Sequence, residues 1–145
     1  GVLAVLTADC GAVALGSPEG VHGAVHVGWR GLAAGVVEAA VEAMGALGAG
    51  EVVAGAGPCI GPCCYEFSAE DLEALAGRYG PGVRATTTWG AVSLDLPAAV
   101  RAALAGAGAA LAYDDMRCTA CGADAYSHRR RRDEARQALL VWPVP

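Results

Sequence analysis

The stretch Thr7–Gly31, TADCGAVALGSPEGVHGAVHVGWRG, decides how this chain folds. Ala12–Leu15 is a continuous apolar run of strand length. GSPEG reads as a turn by composition, and Val21–Val27 reads as the returning strand. With Pro18 as the pivot, Cys10 and His26 each stand eight residues away and face one another across an antiparallel pair. Directly opposed side chains have Cβ atoms about 4.5–5.5 Å apart. That span lets one thiolate and one imidazole reach a common zinc ion through bonds of about 2.3 and 2.0 Å. His22 shares the face of His26 by alternation, but roughly 13 Å of strand separates them, too far for a shared ion.

Working outward, Val2–Leu6 is a further apolar run of strand length. Downstream, Leu32, Val36, Ala40, Met44 and Leu47 recur at helical spacing with Glu38 and Glu42 turned outward, which predicts one amphipathic helix closed by glycines. Glu51–Ala56 reads as a strand, GPCIGPCCYEF (Gly57–Phe67) as a rigid loop, Ala69–Arg78 as a helix and Ala91–Leu94 as a short strand. Asp95 is placed to cap a helix over Leu96–Ala107, with Pro97 in its first turn. Ala138–Trp142 completes the set as a strand. Strands interleave with helices and no repeat is present, so the class is mixed α and β, with residues 1–145 as a single unit.

Composition narrows the function classes. The 54% hydrophobic fraction is broken up by 21 glycines, and no run approaches the roughly 20 apolar residues of a membrane span. All ten basic residues are arginine and the net charge is −5, which does not favour nucleic-acid binding. The basic cluster HRRRRDEAR (His128–Arg136) runs straight into acids and suits a solvated or anion-contacting segment. No secretory signal is recognisable, so the six cysteines are expected reduced, in a cytoplasmic setting.

The chemistry-bearing residues gather in a few places. Asp9 adjoins Cys10, His26 stands on the opposed strand, and GWRG (Gly28–Gly31) sits where strand gives way to helix. A helix N-terminus favours an anion, and the Arg30 guanidinium adds bidentate contacts to phosphate or carboxylate. An opposed cysteine and histidine also suit a hydrolase with Cys10 as nucleophile and His26 as base. Cys59, Cys63 and Cys64 together with Cys118 and Cys121 raise a four-cysteine zinc reading. The Cys59-x3-Cys63 spacing with flanking prolines argues against it, and favours loop cysteines in a stiff wall beside a pocket.

The ordered motifs TADC, HVGWRG, GPCIGPCCYEF and CT…YSHRRRRDEARQALLVW resemble the laccase-domain family of the bacterial YfiH type. Its members were first named polyphenol oxidases and were later assigned purine nucleoside phosphorylase and adenosine deaminase activities. The resemblance implies an α+β fold, a four-layer α/β/β/α sandwich, and a zinc ion (Zn2+) held by two histidines and one cysteine. Cys10 and His26 match two of those ligands, while the family's first zinc histidine precedes TADC. The chain thus resembles the last three-fifths of a family member, with an N-terminal part missing. That gap is expected to leave an apolar edge suited to self-association and to weaken turnover.

The implied partners are purine nucleosides and phosphate, with no nucleic acid and no membrane. Arg30 would hold phosphate, Asp9 is the candidate proton donor, and Tyr126 and His128 would line the nucleoside pocket. Copper is disfavoured, because the only methionines, Met44 and Met116, fall on a helix face and in a distal loop. The rival readings are the Cys10–His26 hydrolase and a non-enzymatic remnant of the fold.

Overall fold

Strand β2 (Gly11–Gly16) organises the chain. In the computed structural model, which describes residues 1–144, it is flanked on both sides. The strand β3 (His22–Val27) pairs antiparallel on one side and β4 (Val53–Ala56) antiparallel on the other. A parallel neighbour beyond β4, β7 (Ala110–Asp114), completes a four-stranded sheet ordered β3-β2-β4-β7. Val13 and Leu15 of β2 and Val25 and Val27 of β3 are buried, whereas His26 is exposed, as alternation along a strand requires.

The hairpin register differs from expectation. His26 pairs with Ala12, not Cys10, and Gly11 pairs with Val27. The turn accounts for this: Gly20 donates to the Ser17 carbonyl with φ +84°, which centres the loop on Glu19 and moves every pairing by two positions. A two-residue shift preserves the face, so Cys10 and His26 become diagonal and not direct neighbours.

Helices cover one face of the sheet. The single expected helix is two, α1 (Trp29–Ala34) and α2 (Val36–Ala46), broken at Gly35 with φ +79°. The break is held by α3 (Ala69–Tyr79): the Tyr79 hydroxyl donates to the Leu32 carbonyl at 2.7 Å and lies 3.1 Å from Glu38 Oε1. Glu38 is therefore half-buried and engaged, and Leu47, expected inside, is 74% exposed past the end of α2. Asp95 caps α4 (Leu96–Gly106) by accepting from Ala98 N, and Ala99, Val100, Ala103 and Leu104 bury its inner face.

On the opposite face lies a two-stranded antiparallel ribbon of β1 (Leu3–Thr7) and β8 (Gln137–Val141), which contacts β2 and β3. Helices α1–α4, the main sheet and this ribbon make the fold α+β, and they form three layers of the expected four. The outer side of the ribbon exposes Leu6 and Leu140, with Val2 and Trp142 beside them. Three elements escaped the pattern reading: β7, the strand β5 (Arg84–Thr86), which pairs with the expected strand β6 (Val92–Leu94), and the short α5 (His128–Arg131). Among the described residues no helix is long and apolar enough to cross a membrane.

Gly35 carries the sharpest backbone requirement. A Cβ there would stand 2.5 Å from Arg78 Nη2, on a left-handed backbone. Gly35→Ala is expected to lower stability by about 1–3 kcal/mol in urea denaturation. Gly45→Ala, on the open surface of α2 with nothing near its Cβ, should instead be neutral or raise it by about 0.5–1 kcal/mol.

Candidate functional site

The turn between β1 and β2 buries a carboxylate. Asp9 is 7% exposed and adopts a left-handed backbone with φ +88°. Its Oδ1 accepts from the Thr119 hydroxyl at 2.7 Å, its Oδ2 accepts from Arg129 N at 2.6 Å, and its carbonyl accepts from Ile60 N at 2.8 Å. Through these three bonds Asp9 joins three loops, and both of its carboxyl oxygens are engaged as acceptors.

Next to it, Cys10 is half-buried against Gly28, where a Cβ would come within 3.1 Å of the sulfur. Burial, then the neighbouring Asp9 charge, push the Cys10 thiol above its ordinary range, with Arg129 opposing. A protonated thiol whose cross-strand neighbour is glycine lacks the paired base that the hydrolase reading needed.

Two adjoining clefts open beside this turn. The smaller, about 210 Å³, is lined by Asp9, Cys10, Ile60, Tyr65 and His128 among others, and the larger, about 780 Å³, by Phe67, Trp89, Glu66, Asp71 and Arg130. Trp29, Arg30 and Arg129 border both. The Arg30 guanidinium stacks on the Trp29 ring at 4.4 Å, and that of Arg129 lies over Tyr65 at 5.0 Å. Trp29 and Tyr65 each meet Phe67 edge to face, at 5.5 and 5.3 Å between centroids. Burial raises the Tyr65 hydroxyl to about 12, with Arg129 working against it.

The basic segment divides by role. Arg131 turns inward, donating to the carbonyls of Gly122 at 2.9 Å, Thr119 at 3.4 Å and Ala125, and pairs with Asp133 at 3.0 Å. Arg136 donates to three carbonyls, those of Asp133, Glu134 and Ala135. Arg78, Arg84, Arg101 and Arg117 pair with carboxylates elsewhere. Among the described residues, Arg30, Arg129 and Arg130 meet in the clefts without a salt bridge. Since α1 has only six residues, the anion affinity expected of GWRG rests on the arginine more than on a helix dipole.

Of the expected site residues, Asp9, Cys10, Arg30 and His128 are brought together. Tyr126 is not: it lines neither cleft, and its backbone is tied to the Gln137 side chain. His26 is exposed on the sheet face opposite the helices. The sequence reading missed Trp89, Asp71, Arg129 and Arg130, although CCYEF and the arginine run were visible as motifs. Met44 and Met116 are both buried in the core, so no methionine faces the clefts.

Four sulfurs converge where loop cysteines were expected. Cys63, Cys64, Cys118 and Cys121 place their Sγ atoms within 4.8 Å of one another, the only such set of three or more metal-binding side chains among the described residues. The pairing against which spacing argued was the wrong one. Cys59 is fully buried, bridged to Cys118 through the backbone, and burial raises its thiol to about 12.

Comparison with known proteins bears on this site. A family model described as multi-copper polyphenol oxidoreductase laccase matches residues 1–143. A purine nucleoside phosphorylase of Streptomyces griseus is 45% identical over 143 residues, covering 97% of this chain and 58% of the relative. The corresponding protein of Streptomyces coelicolor is 44% identical, with 97% and 59% covered. The crystal structure of a Neisseria meningitidis protein superposes with a TM-score of 0.85 at 30% identity, covering 98% of this chain and 60% of that one. The Bacillus licheniformis protein YfiH gives a TM-score of 0.82 at 26% identity, with 96% and 56% covered. The chain thus spans under two-thirds of the length of these relatives.

Two outcomes follow from the Asp9 turn. Asp9→Ala leaves the Thr119 hydroxyl and the Arg129 N–H without their acceptor and should cost about 2–5 kcal/mol in urea denaturation, with Asp9→Asn intermediate. Alkylation of Cys10 by iodoacetamide, followed by peptide mass spectrometry, should keep rising with pH after an unperturbed thiol has levelled off. A plateau at or below the pH of a free thiol would contradict the raised Cys10 value.

Proposed function

Because this chain belongs to the multi-copper polyphenol oxidoreductase laccase family, whose curated relatives carry the name purine nucleoside phosphorylase, we propose that its double cleft binds phosphate and a purine nucleoside for phosphorolysis. The observation that carries this reading is the meeting of Arg30, Arg129 and Arg130 with Trp29, Phe67 and Trp89 in one place. Guanidinium groups bind phosphate oxygens bidentately, and aromatic faces and edges suit a purine. A cleft of about 780 Å³ lies in the range of small-ligand sites.

In the proposed reaction a phosphate oxygen forms a bond to the ribose anomeric carbon while the glycosidic C–N bond breaks. The base leaves with the bonding pair and takes up a proton, giving free base and ribose 1-phosphate. Arg30 and Arg129 hold the phosphate and offset its charge as it attacks. Asp9 is a positioning residue here, since its carboxylate anchors Arg129 through the backbone. His128 lines the smaller cleft beside Asp9 and Cys10.

Adenosine deamination, the second activity that the resemblance implies, would draw on a metal-activated water. In this reading Cys10 and His26 are the candidate zinc donors. They stand diagonally, and a catalytic zinc site takes three protein ligands. Among the described residues no third donor joins Cys10 and His26, so no step is assigned to a metal. The same shortfall favours a second reading, a chain that binds phosphate and nucleoside without efficient turnover.

Calorimetric titration with phosphate, with and without inosine, tests the binding claim. Arg30→Ala and Arg129→Ala should each weaken phosphate binding by about ten- to a hundred-fold, the loss of one or two charge-assisted contacts. Unchanged phosphate affinity in both variants would overturn the proposal. Phosphate-dependent release of hypoxanthine from inosine, and of ammonia from adenosine, then separates the readings. Low turnover with intact binding is expected.

A further inference from the structure

The cysteine cluster lies outside the chemistry just described and has the features of a closed metal site. Cys63 Sγ stands 3.3 Å and Cys64 Sγ 3.6 Å from Cys121 Sγ, and all four sulfurs fall within 4.8 Å of one another. A tetrahedral zinc with bonds of about 2.3 Å sets its sulfurs roughly 3.8 Å apart, so the four thiols surround a volume of the right size. Convergence of all four is more than a disulfide requires, since a disulfide needs only one pair.

The backbone is shaped to the cluster as well. Gly61 N donates to Cys118 Sγ at 3.2 Å. A Cβ on Gly61 would stand 3.0 Å from Cys118 Cβ and 3.4 Å from the sulfurs of both Cys118 and Cys63. Only glycine leaves this space open. N–H donors aimed at a ligating sulfur are the usual outer support of a thiolate site. The Cys118-x2-Cys121 spacing is that of one half of a structural zinc site.

We propose that Cys63, Cys64, Cys118 and Cys121 bind one zinc ion as a closed tetrathiolate, a structural site distinct from Cys10 and His26. The ion fastens the turn at 61–64, whose Cys64 forms part of the larger cleft wall, to the loop that leads from Cys118 to the arginines of α5. Each thiol still protonated releases its proton to solvent as the metal enters. With four protein ligands no position is open to water, so the site shapes the cleft without taking part in its chemistry.

The test is metal analysis of the full chain purified without chelator under reducing conditions, where about one equivalent of zinc per chain is expected. The paired variant Cys118→Ser/Cys121→Ser should lose it, whereas Cys59→Ala, whose sulfur is outside the cluster, should keep it. Retention in Cys10→Ala separates this site from the donors considered under the proposed function. Should the paired variant fail to fold, cobalt reconstitution of the unaltered chain provides an independent reading. Intense tetrahedral ligand-field bands with sulfur-to-cobalt charge transfer are expected. Four freely titrating thiols in metal-supplemented protein, a Cys63–Cys121 disulfide in their place, or zinc that survives loss of Cys118 and Cys121 would each overturn the proposal.

Discussion

The buried carboxylate of Asp9 is the constraint on which the rest of the site depends. A charge removed from water must be met by donors, and here the Thr119 hydroxyl and the Arg129 N–H supply them while Ile60 N–H takes the carbonyl. These three partners come from the GPCIGP loop, the loop after β7 and the start of α5, none of them near Asp9 in sequence. One residue therefore sets the relative position of Cys10, of the cleft wall at Ile60 and of the guanidinium of Arg129. The left-handed backbone at Asp9 is the local strain that this bonding sustains.

The division of the arginines gives the clefts their character. In a chain of net charge −5, most guanidinium groups are occupied by carboxylates or backbone carbonyls. The three that line the clefts are stacked on aromatic rings or face the opening. Stacking holds a planar cation in place without neutralising it, so its donors stay available to an anionic ligand. Local charge, not net charge, is what an incoming phosphate meets.

Much of this arrangement was legible in the residues. Composition and alternation found β1, β2, β3, β4, β6 and β8, and the cap at Asp95 follows from residue type, whereas the apolar spacing runs straight through Gly35 and hides the break there. The strand β7 was hidden because Ala109–Ala112 carries no β-branched residue, and its pairing with β4 supplies what propensity does not. β5 has a single partly buried residue and exists through its partner β6. The cysteine cluster was discounted on spacing because Cys59 was counted with Cys63. Two adjacent cysteines meet the Cys118 loop instead, a pairing that depends on how a proline-flanked turn is oriented in space.

The sequence by itself determined the class of fold, the family and the identity of the residues able to do chemistry, because alternation, capping and motif order are local properties written along the chain. Only the tertiary structure decided which of those residues meet. A one-residue change in where a turn is centred moves Cys10 off His26 and onto Gly28. Contacts across more than a hundred residues, such as Thr119 and Arg129 on Asp9, join loops whose relative position no local pattern specifies. The physical reason is the same in each case. Register and loop placement are set by satisfying buried polar groups and filling a common core, and both are properties of the whole folded chain.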